Sequence, residues 1–220
     1  MDELRPGLWH WEAPHPGWDA TEPWSPEVSS YAIDDGERLL LFDPLALPSE
    51  IEELAAGRET AIVLTCPWHE RDTQSLVERL SAPVFAPAPE TQEDLMEKFG
   101  ITAEQAAGGS PDLRWLKDAD TFEKHWVFAG DRLHIGIEAF LGKDPKDLVH
   151  WIESQRAVIA GDSLVDFGQG LEVNQRWLRE GQTREDVAQE MRPLLELPVE
   201  LVLPTHGTPT DRAALERALS

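Results

Sequence analysis

The chain has one cysteine, Cys66, in 220 residues, which excludes an internal disulfide framework and agrees with a reducing compartment. It also lacks long hydrophobic runs. Stretches such as "LLLF" are far too short to span a bilayer, and the N-terminal "MDELRPGLWHW" is acidic where a secretory signal would be basic and then apolar. These absences predict a cytoplasmic protein with no membrane partner. Basic residues are scarce as well: 19 lysines and arginines stand against 42 acidic residues, for a net charge of −23. A field of that sign repels phosphate backbones, so nucleic acid is not expected as a partner. No Ser/Gly-rich, repetitive or low-complexity stretch divides the sequence, so residues 1–220 are expected to form one domain.

What is present is a set of short runs, apolar throughout and bounded by turn residues. They are "LLLFD" (39–43), "AIVLT" (61–65), "PVFAP" (83–87), "AVIAGD" (157–162) and "LVLPT" (201–205). Uninterrupted runs of this length, rich in leucine and β-branched residues, read as strands buried on both faces. Helical patterns lie between them. "SEIEELAAG" opens with a capping box from Ser49 to Glu52 and stops at Gly57, while "DTQSLVERL" and "TREDVAQEMRPLLEL" carry apolar residues at helical spacing. "SSYAIDDGERLLLFD" and "HWVFAGDRLHIGIEAF" each hold a glycine turn between strand-like segments and predict two hairpins. Hairpins combined with β-α-β units give a mixed α/β protein with helices covering the sheet faces.

Polar residues cluster at the ends of the buried runs: "AIVL" leads into Thr65–Asp72, "AVIAG" into Asp162 and "LVLP" into "THG" with His206. Ligands collect at the carboxyl ends of strands in open α/β sheets, because the strands hold those loops rigidly. In order and spacing, "LLLFDPL", "AIVLTCPWHERD", "LGKDPKDL", "AVIAGDSLV" and "LVLPTHG" together resemble the metallo-β-lactamase fold family. The resemblance implies an αββα four-layer sandwich, two mixed β-sheets with helices on the outer faces. It also implies a site at one edge where one or two metal ions, usually zinc, activate water for attack on an ester, amide, thioester or phosphodiester.

The chain departs from the family's pattern at that edge. With one extra loop residue, Pro67 falls at the first histidine of the His-x-His-x-Asp-His motif, His69 at the second, Arg71 at the aspartate and Asp72 at the last histidine. Lys143 stands where the family has a further metal-binding histidine, whereas Asp162 and His206 match directly. The metal ligands implied are therefore His69, Asp72, Asp162 and His206, enough for one divalent ion (zinc, manganese or iron) and not for a two-zinc site. Lys143 or Arg71 would then hold a substrate carboxylate or steady a developing oxyanion on a small ester- or thioester-like substrate. Cys66 is a second conceivable nucleophile, but nothing in its neighbourhood lowers its pKa recognisably.

An equally open alternative needs no cofactor. Arg71 and Lys143, placed beside Asp72 and Asp162, would neutralise the buried carboxylates themselves, giving a silent ionic network in a metal-free protein that binds a ligand or forms a homodimer. In that case Asp72 is a helix N-cap and His206 a core histidine.

The first 24 residues hold four of the nine tryptophans, and Pro14, Pro16, Pro23 and Pro26 prevent a long helix there. This segment is either a loop closing over the site, with His15 as a replacement ligand, or a cover for a sheet edge or a dimer contact. His10, His125, His134 and His150 are expected to be structural or surface residues.

Overall fold

The computed structural model describes residues 1–109 and 122–220. The apolar runs form the middle of two sheets. The first sheet is built in chain order from β1 (Asp2–Arg5), β2 (Leu8–Pro14), β3 (Glu27–Asp34), β4 (Arg38–Phe42), β5 (Glu59–Val63), β6 (Val84–Ala86) and β7 (Lys124–Trp126). Its first four strands pair antiparallel and the rest parallel. The second sheet contains β8 (Arg132–Leu133), β9 (Ile137–Asp144), β10 (Asp147–Ile152), β11 (Ala157–Ile159), β14 (Leu201–Leu203) and β15 (Thr210–Asp211), in the order β15-β14-β11-β10-β9-β8. A short ribbon, β12 (Leu164–Val165) with β13 (Glu172–Val173), hangs beside it.

The uninterrupted apolar runs follow from burial on both faces. In β4, Leu40 and Phe42 point into the core shared by the two sheets, with Leu148, Ile159 and Leu203 opposite, while Leu39 and Leu41 pack on the helix side. That outer face is covered by α1 (Ser49–Ala55) and α2 (Thr73–Leu80), through Ile51 and Leu76. The second sheet is covered by α5 (Arg184–Met191) and α6 (Arg212–Ala218), through Val187, Met191 and Leu215. The layers are α, β, β, α, and each fully buried leucine contributes about 1.5–3 kcal/mol. Two further helices, α3 (Gln92–Phe99) and α4 (Ala103–Ala107), follow β6. No helix among the described residues is long and apolar enough to cross a membrane.

Two local expectations need correction. Ser49 forms no capping box: Pro48 takes the N-cap position with φ −61° and ψ 144°, so Ser49 is already the first helical residue and its hydroxyl bonds Glu50. True capping boxes close α3, α4 and α5 at Thr91, Thr102 and Thr183. "HWVFAGDRLHIGIEAF" is not one hairpin either. β7 pairs parallel with β6 at the edge of the first sheet, and the Gly130 turn carries the chain across to the second, where β8 pairs with β9. The hairpin "SSYAIDDGERLLLFD" is formed by β3 and β4.

His150 of β10 is structural, as its sequence neighbours suggested. It is fully buried with its ring 6.3 Å from that of Phe42, and burial pushes its pKa down to about 4. The unfolded chain takes up a proton near the ordinary value of about 6.5. The folded protein refuses it until about pH 4, so the stability His150 contributes is complete above the unfolded value and is lost as the pH falls through this window. We expect His150→Leu to remove up to about 3 kcal/mol of acid destabilisation between pH 7 and pH 4. Urea titrations of both proteins across that range check this, and parallel stability–pH curves would refute it.

Candidate functional site

Four strand ends meet at one rim of the sandwich. Asp43 follows β4, Thr65 and Cys66 follow β5, Asp162 follows β11 and His206 follows β14. His69 ends the 3-10 turn Pro67–His69, one step beyond Cys66. Two glycines permit these approaches. Gly161 has φ +53° and a Cβ there would lie 2.6 Å from Asp147 Oδ1; Gly207 has φ +117° and a Cβ there would lie 2.7 Å from Asp166 Cβ. The "GD" and "HG" pairs therefore reflect close backbone packing beneath Asp162 and His206.

His69 is held from behind. Its Nδ1 lies 3.0 Å from Asp43 Oδ2 and 2.9 Å from Thr65 Oγ1, and Thr65 in turn donates from Oγ1 (2.6 Å) and from its backbone N–H (2.9 Å) to the Asp43 carboxylate. This fixes the ring so that Nε2 faces Asp162 Oδ1 at 3.2 Å; His206 Nε2 approaches the same oxygen at 3.2 Å. Despite these two neighbours, Asp162 Oδ1 has no properly angled hydrogen-bond partner among the described residues, and nor does His206 Nδ1. Cys66, His69 and Asp162, all buried, each bring one donor atom within 4.8 Å of the others.

Lys143 lies on β9, just before the turn to β10, and is 1 % exposed. Its ammonium is bonded to Asp147 and stands 3.9 Å from Asp162 Oδ2. Burial opposes its charge, but Asp147, Asp162 and Asp144 outweigh burial and raise its pKa, so it is a fixed cation. Burial would likewise raise Asp162, yet His69 and Lys143 hold it well below the usual carboxylate range. Asp147 goes the other way: burial, helped by the like charges of Asp162 and Asp144, pushes it up to about 7 against the pull of Lys143. On His69 burial is overcome by Cys66, Asp162 and Asp43, which raise the ring's pKa well above normal, whereas burial dominates at His206 and lowers it.

Of the residues implied by sequence, His69, Asp162, His206 and Lys143 are brought together. Asp72 is not. It precedes α2, caps nothing with its side chain, and accepts the backbone N–H of Ala46 at 2.7 Å instead. Arg71 does not pair with it: with φ +45°, Arg71 turns away and its Nη1 donates to the carbonyls of Ser29 (2.8 Å) and Asp43 (2.6 Å). Asp43 and Asp147 were missed as site residues, although Asp43 carries the signal that found Asp162, a carboxylate directly after an apolar strand.

The cluster opens into a cavity of about 430 Å³ whose walls include Trp24, Trp68, Trp177, Arg71 and Lys98. Trp24 and Trp177 flank His206, with ring centroids 4.7 and 5.8 Å away. Lys98 Nζ sits 4.2 Å from the Trp68 ring and is bonded to Glu90 and Asp144. The Trp-rich N-terminal segment is thus divided. Trp11 is buried under the first sheet with its indole N–H on the Leu45 carbonyl, while the loop between β2 and β3 brings Trp24 and His15 to the cavity wall. His15 bonds the Gly17 N–H and packs edge-on to Trp24, lining the same cavity as His69, Asp162 and His206.

Lys143→Met should leave the ionised Asp162 without its ammonium, drive Asp147 to take up a proton, and cost about 3–5 kcal/mol in chelator. Urea unfolding measures it, and a loss below about 1 kcal/mol would mean that Lys143 is not what neutralises them.

No protein-family model matches the sequence, and no curated relative does. Solved structures do match. A metallo-beta-lactamase family protein from Thermus thermophilus is 18% identical with a TM-score of 0.64, over 98% of this chain and 78% of its own. An archaeal metallo-beta-lactamase superfamily protein from Sulfolobus tokodaii is 14% identical with a TM-score of 0.64, over 97% and 84%. TTHA1623, solved in a di-iron-bound form, is 23% identical with a TM-score of 0.58, over 87% and 93%. The agreement of layers, strand-end placement and these likenesses gives this chain the metallo-β-lactamase fold.

Proposed function

We propose that the protein is a hydrolase-like enzyme whose site takes one divalent metal ion, held by His69, Asp162 and His206, and that it acts on a small ester or thioester in the cytoplasm. The observation that carries this reading is Asp162 Oδ1. It is a buried, ionised oxygen facing two imidazole nitrogens at 3.2 Å, neither of them well aligned for a hydrogen bond among the described residues, which suits ligands of one ion better than an ordinary polar network. The Asp43–His69 pair supports it, since a carboxylate behind the ring fixes the tautomer that presents Nε2. A divalent ion bound there would supply Lewis acidity, polarising a carbonyl and lowering the pKa of a bound water towards about 7.

The chain's own residues divide the remaining work. Lys143 neutralises Asp147 and the second oxygen of Asp162, so the place of a second cation is filled by an ammonium. Arg71 lines the cavity with its guanidinium held on the Ser29 and Asp43 carbonyls, so it lends positive charge to the cavity wall. Trp24, Trp68 and Trp177 form apolar walls that keep water from the reacting carbonyl. Zinc, manganese and iron(II) all suit two imidazoles and a carboxylate.

A second reading is favoured by Lys143. If its ammonium, the His69 imidazolium and the Arg71 guanidinium together compensate Asp43, Asp147 and Asp162, the fold serves as a metal-free ligand-binding protein. Elemental analysis after purification without chelator, followed by metal titration, decides between them. About one equivalent per chain is expected, lost in Asp162→Ala and His206→Ala; less than about a tenth of an equivalent, with none taken up on titration, would leave the metal-free reading.

A further inference from the structure

We propose that Cys66 is a thiolate ligand of the ion, so that the centre has a sulfur donor and prefers zinc to manganese or iron. The inference rests on the single-metal reading and adds a donor that the resemblance does not imply. Cys66 is fully buried and does not line the cavity, which removes it from attack on a substrate. Yet its sulfur belongs to the compact buried trio with His69 and Asp162, each donor atom within 4.8 Å of the others. An independent observation points to a cation at this trio: Asp162, 7 % exposed, carries an oxygen with no well-aligned hydrogen-bond partner among the described residues.

The backbone makes Cys66 a rigid donor. It is extended, at φ −149° and ψ 164°, between Thr65, whose N–H and hydroxyl are both on Asp43, and Pro67, which starts the 3-10 turn. His69 is fixed by the same Asp43 carboxylate, so two of the three donors share one anchor. His206, by contrast, has no partner on Nδ1 among the described residues to orient its ring, which leaves it the less constrained ligand, at the cavity face. Binding balances simply: the thiol proton leaves to solvent and the sulfur pair goes to the ion, as for any thiolate ligand. Soft sulfur beside imidazole suits zinc, and is a poor match for manganese, which prefers oxygen.

Cobalt(II) titration of the apo-protein tests this without reference to activity. Cys66 is the only cysteine in the chain, so a thiolate-to-cobalt charge-transfer band in the near ultraviolet of the wild type can have no other origin. We expect that band at one equivalent, its loss in Cys66→Ser, and zinc affinity falling in that variant at least about tenfold more than manganese affinity. Visible ligand-field bands at one equivalent without the ultraviolet band would overturn the role of Cys66 while leaving the single-metal reading intact. No cobalt uptake by the wild type would overturn both. Because the wild-type spectrum alone decides the assignment, the test stands even if Cys66→Ser fails to fold.

Discussion

The rim of this protein is organised by the neutralisation of one carboxylate. Asp162 is buried and ionised, and its two oxygens are treated differently. Oδ2 faces the Lys143 ammonium, which is itself bonded to Asp147, while Oδ1 faces His69 and His206. A buried carboxylate is costly unless its charge is met, so the strand ends that carry these partners must arrive together. The glycines under Asp162 and His206, the Asp43–Thr65 brace behind His69 and the buried lysine on β9 all serve that requirement. Lys143 is the unusual part, because a buried ammonium faces both Asp147 and Asp162 from within the fold.

The fold was largely legible in the sequence, for a physical reason. A strand buried on both faces must be apolar throughout, and the five such runs correspond to β4, β5, β6, β11 and β14 within three residues at either end. The errors fell where two local signals compete. Ser49 looked like an N-cap, but the preceding Pro48 already provides the extended entry to α1 and shifts the cap by one residue. The glycine turn near Gly130 looked like a hairpin, yet pairing of β7 with β6 is a long-range event that no local pattern encodes.

The site was legible in part. Strand-end position pointed to Asp162 and His206, polar residues just after apolar runs, and to His69 in the short loop that follows β5. It failed for Asp72, the third residue after the 3-10 turn, on a path that depends on the left-handed φ of Arg71, and for the Arg71 guanidinium, which folds back on the carbonyls of Ser29 and Asp43. Asp147 could not be found without knowing that the β9–β10 hairpin lays it beside Lys143. Such contacts depend on register and backbone direction, which residue types do not specify.

The donors at the rim do not belong to one sheet. His69 and Cys66 follow β5 of the first sheet, whereas Asp162 and His206 follow β11 and β14 of the second. The cluster is therefore a joint between two layers that are otherwise held together mainly by the apolar core of Leu40, Phe42, Leu148, Ile159 and Leu203. It cannot exist in either layer alone, so it completes only after the most non-local step of folding. An ion bound across that joint would clasp the sandwich at its edge, linking the grip of the site to the seating of the two sheets.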